Sequence, residues 1–546
     1  MKSEKIYCLI AMKKIFTWKK YHRWVGLVLS VFMLVFCVSG IILNHRSFFR
    51  GCEVNRNLLP SSYHIKNFNN GIIRGTLSIG GDSVLAYGGA GVWLTDHYGK
   101  HWQEWNAGLP KGVDNRNVRN MVKTKDGVIW MATQYDVYCL KGKEWVKIDL
   151  PSEGERLADL ALCKDSSQVI ILSRSALYRV SRDETHSFTR RNSQFHGRKH
   201  FKERVEILCL STPKDYQPKV TLFRTVWKLH SGEYFGLPGQ LVVDAIALVL
   251  IVLSITGILL FILPYGIRRQ KRRGAKEVMR KMGKQMVWNQ TWHNRFGYFT
   301  IIFTLWLAVS GMCLRPPFMI PLVMIQTEQK IETGNVWHDK LRAIRWDDSE
   351  QCWLVSTSDG FLKVDEAFKK APMLIAKDKS PGISPMGINV FERSGQNEWL
   401  IGSFSGMYRW NTQTGKVLDY FTGKPNKKQG MRPISNSAVV GYSKDFLNGK
   451  SIVFDYSKGA TGLEMPEMLS EAKMSLWNVA LELHVGRCYA PFLGPLSDLF
   501  VFLSGLLISL ILLSGYIILR RQKRKKKMHQ KKSDASRVNI KEDIKQ

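Results

Sequence analysis

The stretch HRWVGLVLSVFMLVFCVSGIILNHR, residues 22–46, holds an apolar run from Trp24 to Leu43 that contains no charged residue. A helix over this run would be about 30 Å long, which matches the hydrocarbon core of a bilayer. Three further runs of similar length and composition lie at 245–263, 296–314 and 499–519. The sequence therefore predicts a membrane protein with four transmembrane α-helices.

The first and third apolar runs follow one pattern. HRWVG at 22–26 corresponds to HNRFG at 293–297, and Ser39-Gly40 corresponds to Ser310-Gly311, with the same shift of 271 positions (293 − 22 and 310 − 39). A second pair of motifs precedes the second and fourth runs: LHSG at 229–232 and LHVG at 483–486. The four helices are therefore predicted to form two repeated helix pairs.

The net charge of +35 is concentrated in clusters of lysine and arginine beside the apolar runs, at 13–23, 268–273 and 520–527. Four crossings place all three clusters on one side of the membrane, and the positive-inside rule makes that side the cytoplasm. Nucleic-acid binding is not expected, because the charge follows the membrane spans. The predicted order is a cytoplasmic N-terminus (1–22), helix (23–44), outer segment (45–238), helix (239–264), basic cytoplasmic loop (265–292), helix (293–315), outer segment (316–493), helix (494–519) and basic cytoplasmic tail (520–546).

Both outer segments, which are periplasmic in a bacterial inner membrane, are predicted to be β-rich. Short apolar runs alternate with small-residue turns. Examples are GVWLTDHYGK at 91–100, DGVIWMATQYDVY at 126–138, CWLVSTSDGFLKV at 352–364 and EWLIGSFSGMYRW at 398–410. The pattern is typical of propeller-like repeats, and a partial or composite sheet is equally compatible with it. These segments could bind a ligand or partner, or form a solvated cap.

Four histidines occupy repeat-matched positions near the membrane faces. The predicted topology places His22 and His293 at the cytoplasmic face, and His230 and His484 at the outer face. Ionisable residues are energetically unfavourable at membrane depth, so repeated histidines there indicate a functional role. The alternative is that the histidines anchor the helices at the membrane interface. Two imidazoles complete the axial coordination of a haem iron, whereas a zinc site would need further ligands. No CXXCH motif is present, so covalently attached haem is not expected.

Two glycines and one further histidine are additional candidates for cofactor binding. Gly26 and Gly297 each lie one helical turn after a repeated histidine and could leave room for a flat macrocycle. His45 follows the first apolar run directly, at its outer end. We interpret His45 mainly as an interfacial side chain, with duty as an outer haem ligand as the alternative.

Three charged residues near the outer face are candidates for catalysis. Asp244 and Asp498 each follow an outer histidine by 14 positions (244 − 230 and 498 − 484). A carboxylate there could bind ferric iron, relay a proton or accept a hydrogen bond from a ligand histidine, or it could simply begin a helix at the interface. Arg315, at the position that matches Asn44, could pair with a haem propionate or an anionic substrate, or sit at the interface.

The motifs HRWVG, SGIILNHR, LHSG, WHNRFG and LHVG resemble those of the PepSY-associated transmembrane helix family. The resemblance covers the membrane segments. It implies a bacterial inner-membrane protein linked to iron uptake, similar to dihaem reductases that release iron from siderophores in the periplasm. Two haems b are then expected, one held by His22 and His293 and the other by His230 and His484, with His45 as a possible substitute. The expected partners are the lipid bilayer, a ferric siderophore or other periplasmic oxidant, and a quinol or cytoplasmic reductase as electron donor.

Two other functions compete with electron transfer. A non-enzymatic, membrane-anchored binding or sensory protein would use the β-rich segments to recognise a ligand, would contain no haem and would tolerate replacement of the histidines. A transporter is disfavoured, because four spans with few polar residues offer no obvious path. The cytoplasmic loop is too short for a flavin or nicotinamide domain, so electrons would come from a partner or a membrane quinol.

Overall fold

The computed structural model describes residues 2–152, 154–191, 194–214, 216–328, 334–382, 384, 386–425, 437–446 and 449–543; within these ranges it describes the side chains of 18–182, 203–528 and 530. The chain folds as two compact units. The helical unit comprises Met1–Arg46, Lys219–Glu328 and Trp477–Gln546, and the sheet unit comprises Ser47–Pro218 and Gln329–Leu476. The two β-rich segments predicted from the sequence therefore combine in one unit.

Helices, numbered in chain order, account for most of the helical unit. They are α1 (Lys2–Asn44), α2 (Leu222–Ser231), α3 (Gly236–Arg272), α4 (Lys276–Phe299), α5 (Ile301–Cys313), α6 (Met319–Met324), α7 (Glu467–Ser470, in the sheet unit), α8 (Leu476–His484), α9 (Ala490–Leu493) and α10 (Ser497–Asp543). Helices α2 and α8 group with the long apolar helices, although the sequence assigned both to the outer segments.

Three stretches of helix in the described part of the chain are long and apolar enough to cross a membrane by themselves: Trp18–Asn44, Glu233–Arg272 and Arg487–Met528. They cover the first, second and fourth predicted spans. The third predicted span, 293–315, falls on α4 and α5, which are bent by 70° at the break between them. The protein therefore has three candidate spans, or four if the bent pair crosses as one.

The break between α4 and α5 falls at Thr300, whose backbone at φ −99° and ψ 5° departs from the helical conformation. Its hydroxyl donates to the carbonyl of Phe296 at 2.7 Å, and the hydroxyl of Thr304 donates to the carbonyl of Thr300 at 3.1 Å. Threonine hydroxyls that bond to carbonyls one turn back compete with the helical ladder and bend helices. Apolar composition alone cannot reveal this bend, because a threonine is compatible with a straight span.

Each half of the helical unit packs against the other. Helix α1 contacts both α3 and α10, while α5 contacts α10 and α3 contacts α4. A buried cluster of Cys37, Ile246, Ala247 and Leu250 joins α1 to α3 and is extended by Leu307 of α5 and Leu512 of α10. This bundle sets the helices that carry the repeated histidines side by side.

Among the described residues, the sheet unit contains six antiparallel sheets of two to four strands, besides one short strand pair. They are sheet 1 (β2 Gly75–Gly80, β3 Ser83–Gly88, β4 Gly91–Asp96, β5 Trp102–Glu104), sheet 2 (β6 Val118–Lys123, β7 Ile129–Thr133, β8 Val137–Lys141, β9 Glu144–Ile148), sheet 3 (β10 Leu157–Leu162, β11 Val169–Ser173, β12 Leu177–Arg191, β13 Gln194–Leu208), sheet 4 (β16 Leu341–Asp347, β17 Cys352–Thr357, β18 Gly360–Val364, β19 Met373–Leu374), sheet 5 (β20 Val390–Gly395, β21 Glu398–Ser403, β22 Gly406–Asn411, β23 Val417–Asp419) and sheet 6 (β24 Val439–Ser443, β25 Ile452–Asp455). In the same unit β1 (Glu53–Val54) pairs with β26 (Met474–Ser475), and in the helical unit β14 (Lys219–Thr221) pairs with β15 (Gln326–Glu328).

Within each sheet, strands that follow one another in the chain are neighbours. Hydrophobic clusters then join each sheet to the next: Leu85 with Met121, Trp130 with Ile171, Leu172 with Val355, Phe361 with Trp399, Met407 with Val439, and Phe454 with Val84. Because the last of these clusters joins sheet 6 back to sheet 1, the six sheets close a ring. Burial of apolar side chains between sheets is what holds the ring together.

Candidate functional site

The first pair of histidines lies at one end of the helical bundle. His22 of α1 and His293 of α4 face each other with ring centres 6.4 Å apart and ring planes at 77°. Helix α4 lies against α3 in this region, which brings His293 to the α1–α10 pair. The two residues that the sequence placed at the cytoplasmic face are thus neighbours in the fold.

The second pair is carried by the two short helices. His230, in the last turn of α2, and His484, the last residue of α8, have ring centres 6.2 Å apart and ring planes at 51°. Each helix is followed by a glycine with a left-handed backbone, Gly232 at φ 79° and Gly486 at φ 84°. Glycine adopts this conformation without steric cost. The L-H-x-G motif therefore places a histidine in the last turn and reverses the chain directly after it.

Each of the four histidines makes a hydrogen bond between its Nδ1 atom and a hydroxyl on a neighbouring helix. The pairs are His22 with Ser514 (2.8 Å), His293 with Thr256 (2.9 Å), His230 with Ser310 (2.9 Å) and His484 with Ser39 (3.0 Å). All four bonds connect one half of the repeat to the other. Neither half can therefore build a histidine pair alone.

In each of these four pairs, the hydroxyl group already donates its hydrogen to a backbone carbonyl. The hydroxyl groups of these residues donate to carbonyls of their own helices, at Ile511 (2.8 Å), Val252 (2.6 Å), Leu307 (3.1 Å) and Val35 (2.6 Å). The hydroxyl oxygen is then an acceptor, so the histidine Nδ1 must carry the proton and donate it. In a neutral imidazole that leaves Nε2 unprotonated, with its lone pair available to a metal.

A glycine follows each of these hydroxyl residues and lies under the imidazole. A methyl group added at the glycine would lie 2.8 Å from Cε1 of His230 at Gly311, 3.0 Å from Cε1 of His22 at Gly515, 3.3 Å from Cε1 of His484 at Gly40 and 3.6 Å from Cε1 of His293 at Gly257. The [Ser/Thr]-Gly pair is thus a docking element for one histidine, repeated four times. The sequence contained this signal as four recurring dipeptides, but it did not indicate that the hydroxyls orient the histidines.

Gly26 and Gly297 have different surroundings from those the sequence suggested. A methyl group at Gly26 would make ordinary contact with Ile511 at 3.8 Å, and one at Gly297 would do the same with Leu253 at 3.8 Å. Both glycines therefore lie at helix–helix contacts, where a small residue allows close approach. The glycines that lie against the imidazoles are the four described above.

The remaining candidates form two carboxylate pairs related by the repeat. Asp244 accepts hydrogen bonds from Asn44 Nδ2 at 3.1 Å and interacts with His45 Nε2 at 2.6 Å. In the other half, Asp498 lies 3.9 Å from the guanidinium of Arg315. His45 is therefore bound to a carboxylate, while His230 and His484 face each other.

The geometry of both histidine pairs fits a bis-imidazole haem. With each nitrogen about 2 Å from a metal placed between them, the centres of two axial imidazoles lie about 6.3 Å apart. The observed separations are 6.4 Å and 6.2 Å. Zinc fits less well, because the described residues contain no group of three or more His, Cys, Asp or Glu side chains that could hold a metal ion.

Two solved structures with similarity to this chain come from Bacteroides thetaiotaomicron. A structural genomics protein of unknown function is 9% identical, with 73% of this chain and 72% of that chain covered and a TM-score of 0.32. The extracellular domain of a hybrid two-component system is 10% identical, with 73% of this chain and 39% of that chain covered and a TM-score of 0.30. Among curated proteins, none matches this sequence.

The family comparison covers both halves of the chain. Residues 12–263 and 265–522 each match the family described as the PepSY-associated TM region. The two matches correspond to the two repeats, and each contains the histidines and the [Ser/Thr]-Gly pairs of its half. The protein is thus a multi-pass membrane protein, and it belongs to the PepSY-associated TM region family.

Proposed function

We propose that this protein is an inner-membrane dihaem electron-transfer protein that passes electrons across the membrane to a periplasmic ferric substrate such as an iron–siderophore. One observation carries the proposal: two repeat-related histidine pairs have ring centres 6.4 Å and 6.2 Å apart, and Nδ1 of every histidine is hydrogen-bonded to a hydroxyl group of the opposite repeat. Two imidazoles presented in this way are a complete axial ligand set.

The chain's own residues would act as ligands and orienting groups. His22 and His293 would hold the inner haem b, and His230 and His484 the outer one. Haem b supplies reversible one-electron chemistry, with a potential set by its axial ligands and surroundings. The hydroxyls of Ser514, Thr256, Ser310 and Ser39 would fix the orientation of the imidazoles and increase their basicity. Two sites near opposite faces would divide the crossing into shorter steps.

The direction of transfer follows from the proposed topology. The basic clusters at 268–273 and 520–527 put both chain termini in the cytoplasm by the positive-inside rule. His22 and His293 then lie on the electron-donor side, and His230 and His484 on the acceptor side. Electrons would come from a quinol or from a cytoplasmic reductase, since the predicted cytoplasmic segments are too short for a nucleotide-binding domain.

The carboxylate pairs at the outer ends of the helices would act beside the outer site. The dyad of Asp244 and His45 could exchange a proton as the charge of the site changes, because Nε2 of His45 lies 2.6 Å from the carboxylate of Asp244. Arg315 would provide a positive charge for an anionic substrate or a haem propionate, with Asp498 holding it in place. The role of Arg315 and of both carboxylates is thus proposed to be substrate or proton handling.

We further infer that the six sheets form a six-bladed propeller. The inference is supported by the ring of hydrophobic clusters and by the chain order of strands within each sheet. The unit joins the two periplasmic segments, so it would present one surface to the periplasm. If the helical unit held no haem, this propeller would instead support the alternative of a ligand-binding or sensory protein.

The proposal is tested with the full chain purified in mild detergent from haem-replete cells. We expect about two haems b per chain in a pyridine haemochrome assay. The reduced protein is then mixed with a ferric siderophore, and haem oxidation is followed by stopped-flow spectroscopy. The same siderophore loaded with gallium, which does not accept an electron under these conditions, is the matched control. Oxidation by the ferric form alone supports the proposal, whereas a haem-free protein contradicts it.

A further inference from the structure

A polar cavity of about 110 Å³ lies in the sheet unit, at the centre of the ring. Its walls come from the ring's inner strands, including β2, β6, β10, β16, β20 and β24. The positively charged lining residues are Arg74, Arg119, Arg342, Arg345 and Lys444, and the negatively charged ones are Asp159, Glu392 and Asp445. Five cations against three carboxylates leave an excess of positive charge around the cavity.

One of the three carboxylates, Asp159, already has its charge and hydrogen-bond partners within the protein. Asp159 lies 2.6 Å from the guanidinium of Arg345 and accepts further hydrogen bonds from Asn120 Nδ2 at 2.9 Å and the backbone N–H of Ile344 at 3.0 Å. Asp159 therefore uses its acceptor capacity on the ring itself. It does not neutralise the other cations of the cavity.

Arg74 is a buried cation of the cavity whose charge is poorly compensated by the residues around it. Its guanidinium donates one long hydrogen bond, from Nη1 to the carbonyl of Val118 at 3.5 Å, and the described residues place no carboxylate at ion-pair distance from it. Burial lowers the pKa of Arg74 to about 10, because the charged guanidinium is less favourable in this buried position than in water. A buried cation without a counter-ion is unfavourable, and a bound anion would offset that cost.

We propose that the central cavity of the ring binds a small oxyanion, a carboxylate or phosphate group, with the guanidinium of Arg74 as its main contact. The planar guanidinium matches such groups in a two-pronged hydrogen-bonded arrangement. A cavity of about 110 Å³ is well below the about 300–1,000 Å³ of pockets that enclose larger ligands. The anion is therefore much smaller than a siderophore, and its site is separate from the proposed ferric substrate.

Isothermal titration calorimetry on the full chain in detergent tests this site, with acetate and inorganic phosphate as probes at constant ionic strength set by chloride. We expect saturable binding of at least one probe, which also distinguishes the carboxylate from the phosphate source. Arg74→Met should weaken that binding by about tenfold or more, because it removes a charge-assisted contact. The control is Arg393→Met, an arginine paired with Asp348 and absent from the cavity lining.

A second variant moves the affinity in the opposite direction. Asp445→Asn removes one of the opposing negative charges of the cavity, and its amide oxygen can still accept the hydrogen bond from Thr76 Oγ1. Anion binding should become several-fold tighter, a change that partial unfolding cannot imitate. The proposal would be overturned if neither probe showed saturable binding. It would also be overturned if the Arg74→Met and Asp445→Asn proteins bound the probe as tightly as the unmodified chain does.

Discussion

The ring centres of His230 and His484 lie 6.2 Å apart, although the two residues are separated by 254 positions in the chain (484 − 230). Each of them also bonds to a serine of the opposite repeat, His230 to Ser310 and His484 to Ser39. Each histidine of the pair is thus held by a residue of the other repeat. The same is true of His22 and His293. Each histidine pair in this chain therefore draws on residues of both copies of the repeat.

Replacement of one histidine should remove one haem and leave the other. We expect His484→Ala, His230→Ala and the double variant each to retain about one haem per chain, because a pair that has lost one axial ligand is no longer complete. His22→Ala and His293→Ala should behave in the same way at the other site. The haemochrome assay gives the count. His45→Ala is the control and should keep both haems; loss of a haem in that variant would assign ligand duty to His45.

The glycines under the imidazoles should differ in their tolerance of alanine. At Gly311 an added methyl group would lie 2.8 Å from Cε1 of His230, so the ring must move; at Gly257 the distance to His293 is 3.6 Å, an ordinary contact. Gly311→Ala should therefore reduce occupancy of the outer haem, while Gly257→Ala should leave the inner haem in place and favour the helix by up to about 1 kcal/mol. Haem content and thermal stability of the two variants measure this contrast. Equal effects would contradict the docking role of the glycines.

The hydroxyl acceptors should tune the haem potential without holding the haem. Ser310→Ala removes the acceptor for Nδ1–H of His230, which makes the imidazole a weaker donor and stabilises the oxidised iron less. We expect the outer midpoint potential to rise by a few tens of millivolts, equivalent to about 1 kcal/mol. Ser310→Thr should restore the original potential, since threonine occupies the equivalent place at 256. The control is Ser509→Ala, a buried serine whose hydroxyl donates to the carbonyl of Gly505 in its own helix.

The sequence predicted those features that depend on local pattern. Apolar runs gave three of the spans, and the constant shift of 271 positions (293 − 22) identified the repeat that places His22 beside His293. The topology also put His230 and His484 on one face, and the structure brings them into contact. The proximity of each pair could be inferred because a membrane restricts a helix to few orientations, so that residues assigned to one membrane face lie at the same end of the bundle.

Features that depend on contacts between distant residues were not predicted. The buried cluster that contains Val84 and Phe454 closes the ring of sheets, yet neither residue differs in pattern from other strand residues. The bend after Phe299 falls at Thr300, a residue that is equally compatible with a straight span. Likewise, Asp244 was a candidate for several roles, and only the fold shows that its partners are Asn44 and His45.

Arg315 should affect the rate of electron transfer to an anionic acceptor more than the haem content. Its guanidinium is 3.9 Å from Asp498, and its Nε atom is buried without a hydrogen-bond partner among the described residues. Arg315→Gln removes a positive charge from the outer end of the helices. We expect a several-fold slower oxidation by an anionic ferric siderophore, a smaller effect at high salt, and about two haems per chain. Arg487→Gln, which removes an arginine paired with Glu482, is the comparison.

The ion pair of Lys340 and Asp359 stabilises the sheet unit. Lys340 is 4% exposed, and its ammonium group lies 2.8 Å from Asp359 and 3.0 Å from the hydroxyl of Tyr216. Asp359→Asn leaves this buried charge uncompensated, and we expect a loss of about 3 kcal/mol. Hydrogen exchange of the backbone around β16 in the full chain measures the loss. Asp348→Asn removes an exposed partner of Arg393 and should cost less than about 1 kcal/mol.

The same pair gives the sheet unit a defined response to acid. Burial of Asp359 opposes its ionisation, but hydrogen bonds from Lys340 and Tyr216 outweigh it and lower the pKa of the carboxyl below its ordinary value of 3.8. A lowered pKa means that the stabilisation is complete above the unfolded-state pKa, near pH 4, and is lost as the pH falls through the folded-state value. Protection of β16 should thus decrease below about pH 4 in the unmodified chain. In Asp359→Asn this contribution is already absent, so a full acid-dependent loss in that variant would assign the effect to another group.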